Sequence, residues 1–146
     1  MQAMRVAVAV GVVFVLSLGT TVNSEQNAVS EADYDAAMKE LRFLVTDAAM
    51  HIDASYFGDL GEDSDKLHEQ FTKVESFWKA QEQPKAVEIT EQALAAVSAI
   101  SRASGAQDGP AATAALADLR TTCSACHGEF REETADGFRI KPSSLK

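Results

Sequence analysis

The residues best suited to chemistry lie together near the C-terminus, where the chain reads Thr122-Cys123-Ser124-Ala125-Cys126-His127-Gly128. The only two cysteines of the 146 residues stand there, and a histidine follows the second directly. Cys-x-x-Cys-His is the spacing of covalent c-type haem attachment. Two thiols add across the two vinyl groups of the porphyrin, and the adjacent imidazole is held under the iron as its proximal ligand. On a helix Cys123 and His127 fall at i and i+4 with Cys126 beside them, so all three reach one face. The run therefore predicts one covalently attached haem c, bound through Cys123 and Cys126, with His127 as a ligand to its iron. Two other chemistries share parts of the pattern. A redox dithiol expects a βαβ context, which this sequence does not offer. A zinc site would have to recruit His51 or His68 from far along the chain, without a second cysteine pair.

The opposite end of the chain speaks to compartment. Met1 to Arg5 is a short positive leader, Val6 to Gly19 is an apolar run, and Val22-Asn23-Ser24 offers small residues at the positions a signal peptidase reads. The apolar run is about fourteen residues, short of the roughly twenty that cross a bilayer as a helix. Residues 1–24 are thus expected to be a cleaved signal peptide, with no membrane anchor afterwards and the mature protein in the periplasm. Residues 25–146 remain as one domain, enough chain for a single core.

Charge narrows the partners. The whole chain carries 13 Lys and Arg against 22 Asp and Glu, a net charge of −9 that becomes −10 without Arg5. Such a surface disfavours nucleic acid and anionic membranes and favours steering toward a basic partner, although acidity alone also serves solubility.

The elements that must position the cysteines read as helices. A first helix is expected from Ser30, a capping side chain with Asp33 at the third helical position, to about Phe57 before Gly58. Met38, Leu41, Val45, Ala48 and Ile52 form its apolar stripe. Gly58-Asp59-Leu60-Gly61 reads as a break. A second helix is expected over about 64–81 with Leu67, Phe71, Val74 and Trp78 inward. A third begins at Pro84, with Val87, Leu94, Val97 and Ile100 inward, and closes at Gly105. The fourth begins at Pro110, carries Ala114, Leu116, Leu119, the cysteines and Phe130, and ends at Asp136-Gly137. No strand pattern stands out. Short loops between four helices predict an all-α, antiparallel four-helix bundle in up-down-up-down order, with the haem motif in the last helix.

A haem motif in the last helix of an all-helical secreted domain resembles the class II cytochromes c, the group of cytochrome c′ and its low-spin relatives. The likeness at residue level lies in Cys123-Ser-Ala-Cys126-His127-Gly-Glu-Phe130-Arg131. The resemblance implies that Arg131, four residues beyond His127, lies close to the proximal histidine. As an ordinary cation in the last helical turn it would also favour the helix dipole. The resemblance further implies that a first-helix residue covers the far face of the iron, and the Ala-Ala-Met stretch aligns Met38 there. Met38 also lies on the inward stripe, where plain core packing is its other reading. Met50, His51 and His68 are the rivals. Tyr34 stands where family members often carry an arginine toward a haem propionate.

With the Met38 sulfur on iron, the centre would be low-spin with a raised potential, and the protein would be an electron carrier with redox partner proteins. With Met38 only packed above it, the centre would be five-coordinate and would bind small gases such as nitric oxide or carbon monoxide. Neither reading makes the chain an enzyme, and no acid/base pair or phosphate-binding glycine loop suggests one. Finally, Phe43, Met50 and Phe57 recur every seven residues, with Ala54, on the side opposite the core stripe. That row predicts a homodimer through the outer face of the first helix, with the tail around Phe138 and Ile140 as an alternative cover.

Overall fold

The computed structural model describes residues 29–146; the expected signal peptide, residues 1–24, lies outside them. Four long helices dominate: α1 (Glu31–Ala54), α2 (Phe57–Ala80), α3 (Pro84–Ala106) and α4 (Gly109–Phe130). They form the expected four-helix bundle. A two-stranded hairpin, β1 (Arg131–Thr134) and β2 (Gly137–Ile140), and a single 3₁₀ turn (Pro142–Ser144) complete the chain. None of the described helices is long and apolar enough to cross a membrane.

α1 starts where its capping residues dictate. The Ser30 hydroxyl accepts from the Asp33 backbone N–H at 3.1 Å, and the Asp33 carboxylate accepts from the Ser30 N–H at 3.1 Å. This reciprocal box satisfies two donors that the first helical turn leaves unpaired. The Ser30 hydrogen bonds hold the Asp33 carboxyl below its ordinary range.

The turns fall elsewhere than expected. Ser55, Glu82 and Gln107 have left-handed backbones (φ 60°, 51° and 53°), and each reverses the chain between two helices. At the first of these, the Tyr56 N–H returns to the His51 carbonyl at 2.8 Å, so α1 ends at Ala54 rather than Phe57. The segment Gly58-Asp59-Leu60-Gly61 is no break but the first turns of α2, with Leu60 fully buried. Its glycine at 61 serves packing: a Cβ there would meet the Ser104 hydroxyl of α3 at 3.3 Å. Ser104 also donates to the Phe57 carbonyl at 2.5 Å. Beside this contact, His51 Nδ1 sits 2.6 Å from the buried Asp63 carboxylate, tying the end of α1 to the start of α2.

The core is filled by Phe77 and Trp78 with Leu60, Leu67, Ile100 and Leu119, all at most 1% exposed. Leu67, Phe71, Val74 and Trp78 are buried as expected on α2, and so are Val97 and Ile100 on α3. On α1 the buried line runs through Tyr34, Ala37, Leu41, Leu44 and Ala48; Met38 and Val45 lie half-buried at its edge. Val87 and Leu94 are likewise half-buried, and Ala114 is exposed because α4 turns Ala112, Ala115 and Leu116 inward instead. α1 packs closely on α2 but meets α4 only sparsely.

α4 stops at Phe130, six residues before Asp136. The Arg131–Thr134 run pairs with Gly137–Ile140, and Asp136-Gly137 belongs to the tight hairpin turn, with Gly137 at φ 134°. A run of Arg-Glu-Glu-Thr has no apolar alternation, which hid the strand. Ile140 is buried against the bundle, while Lys141 returns its ammonium to the Gly128 and Glu129 carbonyls (3.3 and 2.5 Å) and its N–H to the Phe130 carbonyl (2.9 Å). These bonds satisfy the last carbonyls of α4, the task a C-terminal cap performs. The tail then crosses to the α2–α3 turn: the Gln83 amide donates to the Ser144 carbonyl at 3.2 Å, and Lys146 pairs with Glu82.

The turn geometry sets up a stability test. Gly105 is exposed within α3 with open space where a Cβ would stand, whereas Gln107 holds the left-handed position two residues later. Gly105→Ala and Gln107→Gly should each raise stability by about 0.5–1 kcal/mol, read as a higher denaturant midpoint at unchanged m-value. Gly61→Ala should lower it, because Ser104 must give way.

Candidate haem site

Cys123, Cys126 and His127 do share one face of α4. With Thr122 they form one wall of a cleft that is partly open to solvent. The facing walls come from the other three helices: Met38 and Leu41 of α1, Phe71 and Val74 of α2, and Ile89, Thr90 and Ala93 of α3. Leu41, Phe71 and Val74 were legible as core residues. The α3 wall and Thr122 went unrecognised, although Ile89 and Ala93 stand at i and i+4, the spacing of an inward face.

The cleft's polarity is confined to the three motif residues. The Thr90 hydroxyl donates to the Ala86 carbonyl at 2.8 Å and the Thr122 hydroxyl to the Leu119 carbonyl at 2.7 Å, so each is satisfied within its own helix. What remains is an apolar slot with two thiols and one imidazole on a single wall, a donor set that fits a macrocycle bonded at its edge and ligated at its centre.

Burial sets the ionisation of all three groups. The Cys123 thiol is pushed up by desolvation, and Cys126 is raised to about 11 by desolvation, the neighbouring Cys123 and Glu129. A reactive dithiol needs the opposite shift, since the thiolate is its nucleophile. His127 is lowered, first by burial and then by the charge of Arg131. A neutral imidazole with a free lone pair is the form that binds a metal.

Arg131 lies one residue past α4 as the first residue of β1, rather than in the last helical turn. Its backbone N–H donates to the His127 carbonyl. Its guanidinium stacks 4.1 Å over the ring of Phe138, its diagonal neighbour across the hairpin. The hairpin therefore holds this cation beside the motif. Met38 lines the same cleft as the motif residues, from α1. Its rivals lie away from the cleft. Met50 is 54% exposed and stands twelve residues further along α1, about 18 Å at 1.5 Å per residue. His51 is engaged with Asp63, and His68 is exposed on α2.

The outer row on α1 is shorter than expected. Phe43 and Met50 are more than half exposed, but Phe57 belongs to α2 and is half-buried, its ring within 3.8 Å of where a Cβ on Gly109 would stand. The tail does not cover the row either: Ile140 is buried, Phe138 is itself 62% exposed, and the last residues lie on the α2–α3 turn.

A family model described as Cytochrome C′ matches residues 13–131, a span that begins inside the apolar run assigned to the leader and ends at Arg131. No curated protein and no solved structure matches the chain.

The raised thiols give a direct measurement. In haem-free protein at pH 7, alkylation of Cys126 should run on the order of a hundredfold slower than that of a cysteine in an unstructured peptide and should climb as the pH approaches 11. Reaction at the peptide rate would mean that the cleft does not desolvate the thiol.

Proposed function

The chain belongs to the cytochrome c′ family, a family of haem proteins, and on that premise we propose that it is a periplasmic electron carrier with one haem c. Cys123 and Cys126 would hold the group by thioether bonds, and His127 and the Met38 sulfur would be the ligands to its iron. When bound, haem supplies a reversible one-electron iron couple. The protein's own contribution would be to present an imidazole and a thioether to the iron from two helices lining one apolar cleft. A thioether ligand and an apolar lining would both favour the less charged ferrous state and raise the potential. The observation that carries this reading is the joint lining of one apolar cleft by Met38 of α1 and the motif residues of α4. Location in the periplasm rests on the leader-like residues 1–24 and on the oxidising compartment that haem c attachment and secretion share.

Optical spectra of the purified protein in both oxidation states test the ligand set. The wild type should be low-spin, and Met38→Ala should turn it high-spin and open a carbon monoxide site on the ferrous iron. A wild type that is high-spin from the outset selects the gas-binding reading of the same cleft. Cys123→Ala with Cys126→Ala should leave no haem on the denatured protein; retention of covalent haem would refute the attachment.

We also propose that two copies associate through the outer face of α1, where Phe43 and Met50 project into solvent. Sedimentation should give a dimer for wild type and a monomer for Phe43→Glu with Met50→Glu. A wild type that stays monomeric at high concentration removes the interface.

A further inference from the structure

Phe138 is the most exposed large apolar side chain among the described residues, at 62%. It stands on β2, past Arg131, where the family match ends. Burial does not account for an aromatic ring in that position. Its close contact is with a charge: the Arg131 guanidinium lies 4.1 Å over the ring, the geometry of a cation–π stack.

The hairpin's register shows what this stack prevents. Residues opposite one another share a face, and faces alternate along a strand. Arg131, Glu133, Phe138 and Ile140 therefore lie on one face, and Glu132 with Arg139 on the other. On the second face the arginine is neutralised, since Arg139 is paired with Glu132 at 2.7 Å. On the first face Glu133 stands two residues from Arg131 and directly across from Phe138, yet among the described residues no carboxylate pairs with Arg131. Its guanidinium is taken up by the ring instead. A flat, weakly hydrated guanidinium suits such a stack. The hairpin thus carries one neutralised arginine and one unpaired arginine. The unpaired one is tied to the haem motif, because its backbone N–H donates to the His127 carbonyl and its charge is felt at the His127 ring.

We propose that Phe138 is a positioning residue: by stacking on Arg131 it keeps the guanidinium unpaired and close to the histidine that binds the iron, and so raises the iron's reduction potential. This rests on the haem reading above and on His127 as a ligand, and it is independent of Met38. A fixed cation disfavours the more highly charged ferric state. A guanidinium released into water is screened, and one captured by Glu133 is neutralised. Phe138 touches neither the cleft nor the motif and acts through Arg131 alone.

Spectroelectrochemical titration of the haem-loaded protein tests this. The midpoint potential should fall in Phe138→Ala and fall at least as far in Arg131→Gln. It should stay at the wild-type value in Phe138→Tyr, which keeps the ring. The decisive variant combines Phe138→Ala with Arg131→Gln, which should match Arg131→Gln alone. An unchanged potential in Phe138→Ala overturns the proposal. So does a further fall in the combined variant, because the ring would then act on the hairpin's structure rather than through the arginine. Nuclear magnetic resonance of the loaded protein supplies a second readout: the Arg131 side-chain protons should lie upfield of their positions in Phe138→Ala, and equal positions overturn the stack itself. Purified protein without a haem absorption band defeats the underlying haem reading and is recognised before either measurement.

Discussion

Three chemically active side chains on one face of one helix impose a demand on the whole bundle. Cys123, Cys126 and His127 cannot fill a core as leucines do, since their value lies in bonds to something that enters between the helices. α4 meets this demand by dividing its length. Ala112, Ala115, Leu116 and Leu119 pack tightly in its first half, and the second half leaves a slot walled by the other three helices. α1 stays tight against α2 and loose against α4, and Met38 borders the cleft that the motif residues line. The buried line on α1 passes through small residues, Ala37 and Ala48, so that helix can lie close to α2 while its Met38 and Val45 edge borders the gap.

The sequence was most legible where a chemical requirement fixes the spacing. A Cys-x-x-Cys-His run allows few readings, and the structure gathers those residues with Met38 and Leu41 about one cleft. Helix existence was also legible from the 3.6-residue period and from Ser30 with Asp33. Helix ends were not. Glycines were read as stops, but Gly58, Gly61 and Gly105 all lie inside helices, and the reversals occur at Ser55, Glu82 and Gln107. Side-chain type is a weak guide there, because a left-handed backbone of moderate strain is tolerated when the helices on either side are locked by long packing interfaces. Gly61 has a purpose that no local pattern reveals, since its neighbour Ser104 is on another helix.

Similar reasons hid the hairpin. Its first strand is four residues of mostly charged sequence, and what holds it is nonlocal: Ile140 entering the core, Arg131 lying over Phe138, and Lys141 closing the carbonyl end of α4. Such contacts join residues whose partnership depends on where α4 stops. The role implied for Arg131 by family likeness asked only for proximity to His127; the structure adds that a hairpin fixes the guanidinium's direction. Trp78 was read simply as core. The structure buries it fully, with its ring edge-on to that of Tyr34.

The tail's crossing to the α2–α3 turn has a bearing on the order in which the molecule assembles. Each helix can find its sequence neighbour through a turn of two or three residues, and such local pairings form early. The Gln83 to Ser144 and Gln81 to Lys146 bonds span more than sixty residues and close the largest loop among these ties. They cannot form until α4 has settled and Ile140 has been drawn in. The final residues of the chain therefore act as a latch on the α2–α3 turn, joining the far end of the sequence to the middle of a bundle whose other ties are local.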